Sequence, residues 1–204
     1  MVIALATTRF WQVMDCRASV SDANPMVARL ALAITIAIYL QLGLGATMRH
    51  QHRDLAILDF PTANGAWIPN TVAAGLAKVN AWRDARGLSD VTAFQIWLQM
   101  AHRFLAVIIA VAVIAFAVRV LRDAPRSAAL KRLSLLWVTL VISQIALGAW
   151  TIWSNKAADV ATAHVALGAI MLSFGVSISA ICWRISQGEV GRARPAGAPQ
   201  RVSA

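Results

Sequence analysis

Four long apolar runs govern what this chain can fold into. They cover residues 26–48, 96–118, 133–153 and 160–183, each close to the roughly 20 residues that a helix needs to cross a bilayer's hydrocarbon core. Within lipid every backbone N–H and C=O must be bonded inside the protein, so runs of this length are helices. The chain is 59% hydrophobic and only 14% charged, which excludes an ordinary soluble domain. The expectation is an all-α membrane protein, a four-transmembrane-helix bundle spanning residues 26–184. A long segment, 49–95, joins the first two spans, and a short turn at 154–159 joins the last two.

A net charge of +10 raises the question of nucleic acid. The placement of the charge answers it differently. Arg119, Arg122, Arg126, Lys131 and Arg132 cluster between spans two and three, while Arg184, Arg192, Arg194 and Arg201 follow span four. Short loops rich in Lys and Arg stay on the cytoplasmic side. Both termini and the 119–132 loop are therefore expected inside, the 49–95 segment and the 154–159 turn outside, with the bilayer rather than nucleic acid as partner. Segment 49–95 mixes Arg49, Arg53, Lys78, Arg83 and Arg86 with Asp54, Asp59, Asp84 and Asp90, so its net charge is small. Cys16 and Cys182 both fall outside the outer loops, which implies no disulfide there. Residues 2–6 are too short an apolar stretch, without a basic flank, for a signal peptide. Residues 1–25 and 185–204 read as poorly ordered cytoplasmic tails, the second rich in Gly, Pro, Ala and Arg.

His102 and His164 are the two histidines inside apolar spans. Imidazole in hydrocarbon is costly and marks a functional site by default. Each follows a Gln-x-x-Leu-Gly-Ala motif one helix earlier: Gln41, Leu44, Gly45 and Ala46 before His102, then Gln144, Leu147, Gly148 and Ala149 before His164. The chain thus reads as two pseudo-repeated helical hairpins, each supplying one histidine about 10 Å below the outer start of its helix. His102 shares a stripe with Ala106, Ala110 and Val113, and His164 with Gly168 and Gly175. Such stripes serve close helix packing, or the approach of a flat ligand. Two imidazoles without Cys, Asp or Glu nearby make a poor zinc site, since structural zinc takes four protein ligands. A haem brings four nitrogens of its own and needs only axial ligands, for which His is common. Two histidines would saturate the iron and favour electron transfer; one would leave a position open for chemistry.

In the outer segment, Arg49-His50-Gln51-His52-Arg53 follows span one directly. Arg49, Arg53 and Arg103 are candidates to pair with haem propionates, because guanidinium matches carboxylate in bidentate fashion. The alternative is snorkelling to lipid phosphate. Val72, Leu76, Val79 and Trp82 recur at helical spacing, predicting an interfacial helix over about 70–83 capped by Asn70 or Thr71. Trp67, Trp82, Trp97, Trp150 and Trp153 fall near the outer boundary, as an aromatic belt would.

At several of these residues the chain resembles the haem A synthase family. The matching strings are Leu-Gly-Ala-Thr-Met-Arg-His (44–50), Leu-Ala-Ile-Leu-Asp-Phe-Pro (55–61), Ala-His-Arg-Phe-Leu-Ala (101–106), Gln-Ile-Ala-Leu-Gly-Ala-Trp-Thr-Ile-Trp-Ser (144–154) and Ala-Thr-x-His-Val-Ala-Leu-Gly-Ala (161–169). Family members have two four-helix halves, and this chain looks like one of them. The resemblance implies oxidation of the C8 methyl of haem O to the formyl of haem A, with haem ligands at positions that fall here on His102 and His164. One half holds the substrate haem and the other a haem b cofactor. The catalytic half carries a carboxylate one turn before its first histidine; here that place is Gln99, which cannot act as a base. The outer-loop Cys pair of some members is also missing. Both departures resemble the cofactor half, and an oxidoreductase and a non-catalytic haem b subunit for electron transfer or oxidase assembly both stay open. A half of this kind implies a second copy or a partner half-protein, and haem O synthase upstream. The membrane implied is the bacterial inner (cytoplasmic) membrane.

Overall fold

A computed structural model describes residues 25–51, 55–123 and 128–192 of the chain. Cys16, His52, Arg53, Asp54, Arg126, Arg194 and Arg201 lie outside the described residues, as do 1–24 and 193–204. Among the described residues five helices form: α1 (Pro25–Gln51), α2 (Ala73–Asp84), α3 (Ala93–Asp123), α4 (Ala128–Trp153) and α5 (Ala158–Arg192). All but α2 are long and apolar enough to cross a membrane. Each expected span is present and extends further at one or both ends. α5 continues past Arg184 to Arg192, into the segment read as a tail.

The spanning helices stand in a ring. α1 packs beside α3 and α5, and α4 packs beside the same two. α3 and α5, the helices that carry His102 and His164, therefore face each other across the bundle, and so do α1 and α4.

One half of the bundle is filled. Val27, Ala31, Ile34 and Ile38 of α1 are buried against Leu130, Trp137 and Val141 of α4, with Ile109, Val113, Phe116 and Val120 of α3 and Met171, Ile178 and Cys182 of α5. Trp137 sits in the middle with no exposed surface. Its ring lies edge-on to Phe116 at 5.4 Å and to Phe174 at 6.3 Å. Lipid tails are as apolar as leucine, so this close packing, rather than hydrophobic transfer, is what holds the helices together. A hydroxyl pair adds a stitch: Thr35 Oγ1 lies 3.0 Å from Ser179 Oγ. Next to it Gly175 is required by space. A Cβ there would stand 2.8 Å from Thr35 Oγ1 and 3.3 Å from Trp137 Cζ2. Gly175→Ala is expected to destabilise the bundle by about 1–3 kcal/mol through overpacking, read as a lower midpoint in denaturation from detergent; an unchanged midpoint would contradict the assigned fit.

The segment between α1 and α3 has a smaller core of its own, made by Ala56, Ile57, Ala63 and Val91 against Ile96 and Met100 of α3, with Leu76 and Val79 of α2 beside them. The helix expected over about 70–83 forms close to that position, but its cap differs. Val72 is the N-cap and makes no side-chain cap bond. The Asn70 side chain instead accepts from the Val72 N–H at 3.1 Å, a turn that leads into the helix. Arg83 is buried rather than solvated. Its Nε donates to Ser89 O at 2.7 Å and its Nη1 to Leu55 O at 3.0 Å, tying the two ends of the segment together. Asn80 and Val91 exchange two bonds of 3.0 Å each, a side-chain amide pairing with a backbone as a strand would.

Candidate functional site

His102 and His164 lie about two helical turns beyond the outermost residues that their helices give to the main core cluster, Ile109 and Met171. Both are partly buried, at the same height above the packed core, on diagonal helices. What holds each is the same pair of residues from the preceding spanning helix. Gln41 Nε2 donates to the His102 carbonyl at 2.9 Å, and Gln144 Nε2 to the His164 carbonyl at 2.9 Å. Gly45 and Gly148 supply the room beside the rings. A Cβ on Gly45 would meet His102 Cε1 at 3.3 Å, and one on Gly148 would meet His164 Cε1 at 3.1 Å. The Gln and Gly of the repeated motif are thus spaced one helical turn apart because one grips the histidine's backbone and the other yields to its ring.

Polar atoms without partners gather here. Nδ1 of His102, Nδ1 of His164, Oε1 of Gln41 and Oε1 of Gln144 are all buried with no hydrogen bond. Each such group costs on the order of 1–3 kcal/mol, so four at one height mark a place kept for something other than stability. Among the described residues no three His, Cys, Asp or Glu come together as a metal cage. The chain offers two imidazoles on diagonal helices, each beside a glycine. That donor set suits a group that brings its own in-plane ligands, a macrocycle needing only axial nitrogens.

The remaining candidate residues are placed as follows. Gly168 is buried, and a Cβ there would meet Leu42 Cδ2 at 2.9 Å and Gln144 Nε2 at 3.2 Å, so its smallness admits neighbouring helices. Arg49 is exposed at the end of α1, and Arg53 lies outside the described residues. Arg103 has two of its nitrogens committed: Nη1 donates to Thr62 O at 2.8 Å and Nη2 to Asp59 O at 2.6 Å, with Nε buried and unpaired. Gln99 is buried and committed at both ends. Its Oε1 accepts from the Ile57 N–H at 2.9 Å, and its Nε2 donates to the Ile57 carbonyl at 3.0 Å. Together Gln99 and Arg103, one turn apart on α3, hold segment 55–63 against the bundle. Phe60 in that segment lies between the Arg103 guanidinium, 5.6 Å from its ring centre, and Trp153 at the end of α4, edge-on at 6.0 Å.

The tip of the segment is a tight turn. Asn64 and Gly65 both take positive φ, 54° and 78°, and Ala63 and Ala66 exchange backbone bonds of 2.7 and 3.2 Å around them. The Asp59 carboxylate ties this turn down, accepting from Thr62 Oγ1 at 2.6 Å, Asn64 N at 2.7 Å and Gly65 N at 2.9 Å. Burial alone would push its pKa up. The bonds from the Gly65 N–H, the Thr62 hydroxyl and the Asn64 N–H outweigh burial and hold it below the ordinary 3.8. A carboxylate depressed in the fold stabilises it above the unfolded pKa and stops doing so as the pH falls through the folded value. The Asn64 and Gly65 amide resonances are therefore expected to hold steady on acidification until below pH 3.8, then move together. Asp59→Asn should abolish that step; a step at the ordinary carboxylate pKa would count against the turn.

Sequence reasoning singled out both histidines and the motif around Gln41 and Gln144, but not what the glutamines do. It missed the anchoring of segment 55–63, the buried Arg83 and the Phe60–Trp153 contact. The Asn64-Gly65 dipeptide was the available signal for the turn.

The chain is 29% identical over 166 residues to a heme A synthase of Rhizorhabdus wittichii, an alignment covering 80% of this chain and 44% of that protein. The chain thus matches less than half the length of that relative. No solved structure matches it. The family model described as cytochrome oxidase assembly protein matches residues 1–176, and with four helices able to cross a bilayer the chain is a multi-pass member of the COX15-CtaA family of cytochrome oxidase assembly proteins.

Proposed function

We propose that this chain binds one haem b between His102 and His164 and serves as the electron-transferring half of a haem A synthase, the enzyme that oxidises the C8 methyl of haem O to the formyl of haem A. The observation that carries the reading is the matched clamp: two histidines at one height on diagonal helices, each gripped by a glutamine and faced by a glycine. Gln41 and Gln144 fix the backbone from which each imidazole projects, so both rings are set before a ligand arrives. A bound haem supplies one-electron chemistry at its iron. The protein's part is to hold the two axial nitrogens, keep the slot free of side chains, and shield it from water. Arg49 at the end of α1, and Arg53, which follows that helix in the sequence, are the cations proposed to meet the propionates, since Arg103 is bonded to the backbone of segment 55–63.

The cofactor role, rather than the oxidation itself, is favoured by Gln99. Its amide is saturated by Ile57 and offers no base to a substrate methyl group. Catalysis would then need a complementary half, a second copy of this chain or a separate protein, working after haem O synthase. In this arrangement the termini and the basic α3–α4 loop lie on the cytoplasmic side of the bacterial inner membrane, and the haem lies toward the outer leaflet. The test is the visible spectrum of the protein purified in detergent from cells well supplied with haem, with the pigment extracted and weighed. A sharp reduced α-band of bis-imidazole type and the mass of haem b are expected. Colourless protein would overturn the reading, and haem A or haem O as the sole pigment would move the chain to the substrate-holding role.

A further inference from the structure

The seams of the outer half are closed in two different ways. Between α1 and α3 the closure is Gln41 and Gly45 against His102. Between α4 and α5 it is Gln144 and Gly148 against His164. Between α1 and α5, Leu42 lies on Gly168. Each of these is a direct contact of one spanning helix with the next, and the first two are the histidine clamps themselves. The seam between α3 and α4 differs. Its ring contact, Phe116 with Trp137, lies deep in the packed half. α3 and α4 pack side by side, but in the outer half, among the described residues, no hydrogen bond or ring contact joins them directly, and segment 55–63 spans from one to the other. Gln99 and Arg103 hold it on the α3 side through four hydrogen bonds to its backbone, and Phe60 touches Trp153 on the α4 side.

A rigid macrocycle cannot pass the clamped seams without dismantling the histidines' own supports. The bridge, by contrast, is held by contacts that belong to neither clamp: the four bonds from Gln99 and Arg103, and the packing of Ala56, Ile57 and Ala63 on Ile96 and Met100. On the strength of the haem-binding reading above, we infer that segment 55–63 is a lateral gate, that Gln99 and Arg103 are the positioning residues that latch it across the α3–α4 seam, and that a haem passes between the lipid and the histidine pair when it lifts away. The residue types fit a latch. Every bond Gln99 and Arg103 make to the segment is to backbone, so the grip depends on the segment's conformation, and the Asp59 turn keeps that conformation. Gln99 must both donate and accept to hold Ile57. A glutamate there would accept from the Ile57 N–H but present a negative charge to its carbonyl.

The experiment uses the full-length, pigmented protein carrying Phe60→Cys and Trp153→Cys, with Cys16→Ser and Cys182→Ala to remove other thiols. A short, reducible bis-thiol reagent joins the two new cysteines, and haem transfer to excess apomyoglobin is timed. Cross-linking is expected to slow release at least about tenfold without altering the spectrum, and reduction of the linker to restore it. Gln99→Glu is the converse variant: release about tenfold faster from an unchanged six-coordinate spectrum, with faster hydrogen exchange at the Ile57 amide. Release that ignores the cross-link overturns the gate and leaves the haem site standing. Slow release and a protected Ile57 amide in Gln99→Glu overturn the latch. A colourless parent protein overturns the haem-binding reading and the gate together.

Discussion

His102→Ala and His164→Ala are each expected to convert a six-coordinate, bis-imidazole spectrum to a five-coordinate one, and the double variant to lose the pigment altogether. The two single variants should behave alike, because the two sites are built alike: the same donor bond from a glutamine at 2.9 Å and the same glycine beside the ring. Restoring the missing nitrogen with free imidazole should regenerate the parent spectrum in either single variant. Removing the support rather than the ligand should have a smaller effect of the same kind. Gln41→Leu and Gln144→Leu keep both imidazoles but release the backbone that aims them, and losses of supporting bonds around ligating histidines typically weaken binding by about 10–100-fold. The measurement is haem affinity by titration of the apoprotein, alongside the spectrum. If both histidine variants kept a six-coordinate spectrum, the ligand assignment would be wrong.

The largest expected effect on stability lies elsewhere, at Trp137. Its side chain is wholly buried where all four spanning helices meet, edge-on to Phe116 and Phe174. Trp137→Ala would leave a cavity that neither lipid nor the neighbouring rings can fill. Deletions of large buried aromatics cost about 3–5 kcal/mol in soluble cores. The part of that cost due to lost packing contacts persists in a membrane, where packing is the main source of helix affinity, so a loss of about 3 kcal/mol is expected. Trp137→Phe should recover most of it, because the Trp137 Nε1 makes no hydrogen bond that phenylalanine would lose. Chemical denaturation in mild detergent checks both, and a midpoint for Trp137→Ala close to the parent's would show that the helices are held by something other than this contact.

The spans were legible because a bilayer imposes one length and one chemistry on each of them. The histidines stood out because imidazole is rare in such runs. The role of the Gln-x-x-Leu-Gly motif was half legible. Its recurrence showed that Gln41 and Gln144 matter, but a bond from a side chain to another helix's carbonyl leaves no trace at the receiving residue. The same reason hid the anchoring of segment 55–63. Ile57, Asp59 and Thr62 are held by their backbone carbonyls and one N–H, and any residue type carries those. Gln99 was read for the acid it is not, and the structure shows the amide it is, with both halves in use. Arg83 was counted only in the segment's charge balance because nothing in its neighbours announces that Leu55 and Ser89 will close over it. The cap of α2 shifted to Val72 because Asn70 spent its side chain on a turn before the helix rather than on the helix itself.

The plug of rings around Trp137 also bears on the energy balance of the cell. A polar slot sunk into a membrane is a hazard if water can thread onward from it, since a file of water conducts protons and short-circuits the gradient that drives ATP synthesis. On the haem-binding proposal, the apolar and aromatic cluster around Trp137 lies beneath the two imidazoles and would close the site toward the opposite face, leaving such a file of water no path.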